Sequence, residues 1–330
     1  MSRGLSILLA AALLTGCAGT PQSREAGSTL EVSVLGAEAA GDRLRLTAAA
    51  EARREELSAQ SCGAGSTPAA AMEALAGGGE QVVSAAHVEH LLLAKNAADW
   101  LPALLDYAFR DPQQSTETQL WVVDGDDLTA VFDGEEDPAR RMEVLKTAGR
   151  NRQGFCPVTL RQAAGALAQG EPVLLPALDP LTLTRTGAAL YDGDRVTAWL
   201  DRDEALGAAL LLGQRVHWTA SVSEGAMSLQ LVRCRLTPRW RGDRLAGLQV
   251  RCVLEGVRTG GTGNERALEA QTEGHIRAAL EKLQGAEAGR LLLGRAGLKE
   301  PGRWNTLKRQ WDRLFPALPA DVTVTIRGDA

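Results

Sequence analysis

The residue with the most definite chemistry is Cys17, which ends the run Leu14-Thr15-Gly16-Cys17. Met1 to Gly4 brings a free amine and Arg3, and the apolar run Leu5 to Leu14 is too short to span a bilayer. A positive start, a short apolar stretch and small residues before a cysteine make the bacterial lipobox pattern. Leu14, Thr15 and Gly16 fit the recognition site of signal peptidase II, and the Cys17 thiol is the group that takes a diacylglyceryl thioether. The spacing predicts a signal peptide over residues 1–16 and covalent diacylglycerol on Cys17, with no other cofactor. Each buried methylene contributes about 0.8 kcal/mol, so two acyl chains anchor stably where one is marginal. Residues 17–27 supply the lipidated cysteine and a small, polar tether. Ten extended residues reach at most about 35 Å, which keeps the body near the membrane surface. Ala18 rather than Asp follows the cysteine, so nothing points to inner-membrane retention of the Gram-negative kind.

The other cysteines are Cys62, Cys156, Cys234 and Cys252. Cys234 and Cys252 each lie nine residues from Asp243, in a turn between two extended segments. A symmetric hairpin places them opposite one another, about 4.5 to 5.5 Å apart between Cα atoms and within disulfide reach. A register slip of one residue removes that pairing. Cys234–Cys252 is the candidate disulfide, and an extracytoplasmic setting would let it persist. Cys62 and Cys156 carry no spacing argument.

Enzymatic chemistry finds little support. The histidines are His87, His90, His217 and His275. His87 and His90 are three apart, so on one strand they point to opposite faces and cannot share a metal. His275 falls on the apolar face of a helix, where a core histidine is the simpler reading. The sequence holds no His-Glu-x-x-His, no Cys-x-x-Cys and no Gly-x-Ser-x-Gly. The glycine runs at 77–79 and 260–263 lack the Lys-Ser/Thr ending of a phosphate loop. Asp124, Asp126, Asp127, Asp133, Glu135, Glu136 and Asp137 lack the order of a calcium loop and read as a solvated acidic loop. No metal site and no catalytic residue is predicted, and the chain is not read as an enzyme.

Alternation predicts strands at 30–35, around Leu44 and Leu46, and over 81–84, 90–94 and 120–123. A short helix is expected at 68–75, and Asn96 is expected to cap a helix whose stripe is Leu101, Leu104, Leu105 and Ala108. Asp111-Pro112 should stop it. Arg110 and Asp111 are then either a helix end read by a partner or a terminal salt bridge. Helices follow over 138–149 and 159–169, and the three prolines of 170–180 suggest a boundary. A hairpin turns at Asp192-Gly193, and Asp201 with Glu204 forms a capping box for a helix that Gly213 ends. Extended segments come at 217–222, 227–240 and 245–257. Asn264 caps a long helix with Leu268, Thr272, His275, Ala279 and Leu283 on its apolar face. A last helix from about Pro301 aligns Trp304, Leu307, Trp311 and Leu314, and Val322, Val324 and Ile326 alternate in a final strand. The fold class is α+β: mixed sheets with packed helices in two to three domains, and antiparallel hairpins in the C-terminal half. The predicted division is an N-terminal α/β domain over 28–180 and a C-terminal α+β domain over 181–330, itself divisible near 215.

Three stretches, in order, carry a resemblance. They are Ala86-His-Val-Glu-His-Leu-Leu-Leu-Ala94 with Leu104-Leu-Asp-Tyr-Ala-Phe-Arg-Asp-Pro112, the hairpin Gly187 to Asp201 ending in Trp-Leu-Asp with Glu204, and Trp304 with Trp311-Asp-Arg-Leu-Phe-Pro316 leading to Arg327. Together with the lipobox they resemble the Ger(x)C family, the lipoprotein subunit of bacterial spore germinant receptors. Residues 18–35 and 124–170 depart from the family pattern. The resemblance implies a palmitate-type lipoprotein on the outer face of the spore inner membrane. It also implies a body of about three domains that assembles with a multi-pass A-type and a permease-like B-type subunit. The role implied is nutrient-triggered germination through assembly, without catalysis.

Composition agrees with an interaction protein. Apolar residues are 45% and charged residues 23%, enough for a real core. Net charge is −5, which argues against nucleic acid as a partner. The charge is divided: residues 228–330 hold 18 Lys and Arg against 11 Asp and Glu, a balance of +7, and the rest is acidic. The alternative function is a lipid-anchored solute-binding protein of a transporter, which would be built from repeated βαβ units. The strand meander of 184–257 argues against that.

Overall fold

The computed structural model describes residues 29–50, 60–77, 82–133, 137–150, 157–223, 225–261 and 264–328. They form two mixed sheets, each with its own apolar core and packed helices.

The first sheet opens with β1 (Thr29–Ala40) and β2 (Arg43–Ala50), joined by a tight turn in which Gly41 takes φ +68°. In β2 Leu44 and Leu46 are buried between exposed or half-buried neighbours, as alternation requires, and the strand then runs fully buried over Ala48–Ala50. Strand β3 (Gln60–Gly65) then pairs with β2, and helix α1 (Pro68–Gly77) lies against it. Nothing in Gln-Ser-Cys-Gly-Ala-Gly announces a strand. Its glycines serve close approach: a Cβ on Gly63 would stand 2.1 Å from the Leu75 amide nitrogen.

Parallel strands build the centre: β4 (Val82–Ser84), β5 (His90–Ala94) and β6 (Gln119–Val123), with the short β7 (Val158–Thr159) on β6. A 3-10 turn over Lys95–Trp100 leads into α2 (Leu101–Arg110), which buries Leu101, Leu104, Leu105 and Ala108. Asn96 does not cap this helix. Its side chain spans to β1, accepting from the Ala39 amide at 3.0 Å and donating to the Ala39 carbonyl at 3.2 Å. Helices α3 (Thr129–Phe132), α4 (Pro138–Arg150) and α5 (Leu160–Ala168) follow, the last opened by a Thr159–Gln162 capping box.

The stretch 170–180 is a correction to the sequence reading. It holds β8 (Val173–Leu178), buried along its whole length and paired on both sides, so the sheet continues through it. β9 (Arg185–Asp192) and β10 (Arg195–Asp201) complete a path of β10-β9-β8-β6-β5-β1-β2-β3. β9 is a wall shared by both cores: Ala189 and Tyr191 face the first, Ala188 and Leu190 the second. Proline at 176 is compatible with the strand because its neighbours still supply the ladder. The change of sheet comes later, between β10 and the next strand.

Helix α6 (Arg202–Leu211) starts on the Asp201–Glu204 capping box, and Gly213 follows with φ +65°. The second sheet runs β11 (His217–Val222), β12 (Gly225–Arg241), β13 (Arg244–Gly261) and β14 (Ala320–Gly328), the last parallel to β13. Asn264 caps α7 (Glu265–Gly285) by accepting from the Ala267 amide at 3.1 Å. On its buried face stand Leu268, Thr272, Ile276, Ala279, Leu280 and Leu283. His275, expected there, is displaced to the flank, with Nδ1 3.6 Å from Asp203. Helix α8 (Arg290–Gly297), unassigned in the sequence reading, and α9 (Trp304–Leu314) finish the helical layer. Trp311 is fully buried, donates to the Gly289 carbonyl at 2.7 Å and stacks on Phe315.

Candidate functional site

Cys17 with Leu14, Thr15 and Gly16 lies outside the described residues, as does Cys156. Among the described residues, the densest cluster of chemistry-bearing side chains surrounds His90 on β5. Glu89 precedes it, and Glu143 and Lys146 reach it from α4. Ligand atoms of Glu89, His90 and Glu143 lie within 4.8 Å of one another. His87, by contrast, sits in the exposed turn before β5 and not on the strand.

Trp121 on the neighbouring β6 donates its indole N–H to His90 Nδ1 at 3.2 Å. Nδ1 therefore offers its lone pair, and in the neutral ring the proton sits on Nε2. Burial, aided by the Lys146 charge, lowers the His90 pKa to about 4, so the ring is neutral at ordinary pH. Lys146 bridges the carboxylates of Glu89 and Glu143, the latter at 3.0 Å. Burial alone would lower the Lys146 pKa, but its hydrogen bonds to the two glutamates carry it above its ordinary value. The ammonium thus already engages both carboxylates, and the His90 nitrogen facing away from Trp121 carries a proton. These groups fit a salt-bridged lid over a core histidine and do not fit a metal centre.

The remaining polar groups read the same way. In the acidic loop, Asp124 pairs with Lys95 at 2.9 Å, and Asp127 and Asp137 accept from backbone amides that begin α3 and α4. Arg110 pairs with Asp106 one turn earlier, and Asp111 accepts from the Tyr107 hydroxyl and the Gln113 amide. These contacts favour structural work for the helix end. His217 contacts Ser228 across β11 and β12. A small apolar cavity beside Leu35, Leu91 and Leu104 measures about 20 Å³, room for one water. A groove of about 510 Å³ beside Arg43, Ser66 and Glu73 is open surface.

What the second sheet offers is a surface. Helices cover one of its faces, while Arg233, Arg235 and Arg239 on β12 and Arg251 on β13 are exposed. Arg239 pairs with Asp321 at 2.7 Å. Among the described residues no ion pair holds Arg233, Arg235 or Arg251. At the hairpin tip Arg303 donates to the Gly242 carbonyl and lies 5.0 Å above the Trp240 ring, with Trp304 and Leu298 exposed nearby. Cys234 and Cys252 face each other in the same hairpin, both buried, and Cys62 is exposed.

No family model matches the chain, and no curated protein matches it. A solved structure does: the crystal structure of the GerBC protein, at 14% identity and a TM-score of 0.59, covering 90% of this chain and 97% of that one. The fold is therefore Ger(x)C-like over nearly its whole length. The mixed sheets and packed helices described above are those of an α+β, multi-domain protein of that kind.

Proposed function

We propose that this chain is the lipid-anchored C subunit of a spore germinant receptor, acting by assembly and not by catalysis. The observation that carries the reading is the end-to-end likeness to GerBC, joined to the lipobox at Cys17. A domain-sized match could arise from a shared module; coverage of both chains at 90% and 97% points to the same overall construction. The three resembling stretches occupy structural positions that give such a fold its frame: β5 with the end of α2, the β9–β10 hairpin with its α6 cap, and the Trp311–Phe315 plug. Among the described residues no helix is long and apolar enough to cross a membrane, so anchorage in this reading belongs to the acylated cysteine. The partners are a multi-pass A-type and a permease-like B-type subunit, and the place is the outer face of the spore inner membrane.

The test is genetic. Deleting the chain, or changing Cys17→Ala, should abolish germination with one class of nutrient and leave nutrient-independent triggers intact. An unchanged nutrient response in the deletion strain, or turnover of an ester, peptide or sugar by the purified body, would overturn the assignment.

A further inference from the structure

We propose that Cys234 and Cys252 form a modification site, oxidised to a cross-strand disulfide that clamps the central hairpin of the second sheet. Three features converge on it. The first is register: Cys234 on β12 pairs directly with Cys252 on β13. That pairing depends on a bulge. The turn aligns Arg241 with Arg244 and Trp240 with Leu245, but Arg239 faces Gly247, so Ala246 is the extra residue. Without it, Cys234 would face Arg251.

The second feature is the class of the pair. The Leu248 amide donates to the Pro319 carbonyl, away from β12, and register is unbroken from there to Cys252. The Cys252 backbone therefore also points toward β14. On the other strand the Cys234 carbonyl accepts from Arg295 Nη2 at 2.9 Å, away from β13. The two cysteines are thus a non-hydrogen-bonded pair, the class whose Cα atoms approach to about 4.5 Å with side chains closest. That separation lies inside the range disulfides span.

The third feature is the surroundings. Both residues are buried in the second core, Cys234 at 4% and Cys252 at 1% exposure. Their thiols are hydrogen-bonded to each other, and that bond, with the nearby Arg295 cation, holds the Cys234 thiol below its usual range while Cys252 is pushed up. The thiolate of one cysteine attacks the disulfide of a thiol–disulfide oxidoreductase, forming a mixed disulfide and releasing one oxidant thiol. The deprotonated sulfur of the other cysteine then attacks its partner and displaces the second oxidant sulfur. The two cysteines lose two protons and two electrons, and the oxidant leaves as a dithiol. Because α8 and its Arg295 cover the pair in the finished fold, closure belongs to a stage before α8 docks.

The experiment uses the full-length body folded in a glutathione redox buffer, then alkylated in denaturant without reductant and digested. Peptides containing Cys234 and Cys252 should appear as one linked species that separates on reduction, with Cys62 alkylated. In parallel, reductant should lower the melting temperature of the wild type and leave that of a Cys234→Ala, Cys252→Ala double variant unchanged. Alkylation of both thiols in the wild type, or a link from either to Cys62, overturns the proposal. Should the double variant fail to fold, the mapping of the wild type decides alone.

Discussion

The free edge of β14 is closed by a helix in place of a strand, and that device can be taken apart. Glu269 of α7 accepts from the Ile326 amide at 2.8 Å, and Glu273 accepts from the Val324 amide at 3.1 Å. One turn further, Arg277 donates to the Val322 carbonyl at 3.2 Å and touches Glu273. Four helical residues advance about 6 Å and two strand residues about 6.6 Å, so the two ladders stay in step. A hydrogen bond to a charged group contributes roughly 1.5 to 3 kcal/mol when well buried. These carboxylates are part-exposed, Glu273 at 26%, which brings each down to about 1 kcal/mol. Glu269→Ala with Glu273→Ala should cost about 2 kcal/mol, read as a lower urea midpoint, and should leave strand amides open to a neighbouring chain. Light scattering during storage reports that second effect. Glu269→Gln with Glu273→Gln keeps the acceptors and should lose less on both counts. An alanine double variant with an unchanged midpoint and no self-association would refute the reasoning.

His90 makes stability depend on pH. Its folded pKa of about 4 lies below the unfolded value of 6.5, so the unfolded chain binds more protons between those values. Its contribution is complete above pH 6.5 and falls away as pH drops toward 4, by roughly 3 kcal/mol at most. His90→Gln, which keeps an acceptor for Trp121, should flatten that slope in denaturation series, and an unchanged slope would remove His90 as its source. Gly207→Ala should destabilise despite a helix-propensity gain of about 1 kcal/mol, because its Cβ would stand 2.1 Å from the His275 carbonyl oxygen; a raised melting temperature would show that the α6–α7 contact yields freely. The body lacking its lipid should bind anionic vesicles more than neutral ones, at about 1 kcal/mol per basic residue near the surface. Replacing Arg233, Arg235, Arg239 and Arg251 with Gln should remove that difference, and equal binding to both vesicle types from the outset would leave these arginines as solvated surface only.

Much of the frame was legible because local rules and burial agreed. The Leu101, Leu104, Leu105 and Ala108 stripe, the Asp201–Glu204 box and the Asp192-Gly193 turn each state a physical preference that tertiary packing then uses. Failures fall where packing overrides local preference. β3 is rich in glycine and alanine and is a strand only because α1 presses close against it. β8 carries a proline yet sits inside the sheet, since both its faces are covered and its register is held from two sides. Asn96 bears the residue type of a cap, but its amide is better used on the Ala39 backbone, which offers a donor and an acceptor together. At the His90 cluster, His87 lies in the turn before β5 and not on the strand that the spacing argument assumed, and no spacing rule could bring Lys146 from α4 to the carboxylates.

The cysteine pair shows how a correct position can rest on incomplete reasoning. Counting nine residues from Asp243 to each cysteine assumes a hairpin symmetric about a single residue. The actual turn closes between Arg241 and Arg244, symmetric about the Gly242–Asp243 bond, which by itself would misalign the cysteines by one. Ala246 restores the alignment as a bulge. A second bulge at Val232, which is 54% exposed, corrects the inward set again, so that Leu229 and Leu231 on one side and Cys234 and Leu236 on the other all enter the core. These two one-residue insertions on opposite strands, with a third at Thr259 near the open end, leave long apolar ladders in phase over a hairpin of 17 and 18 residues. Alternation alone could not have located the first two, because each inserts an apolar residue, Ala246 or Val232, that in sequence reads as one more core position. Deleting Ala246 should accordingly turn Cys252 out of register with Cys234 while leaving the turn itself intact, and thiol mapping of that variant would read the slip directly.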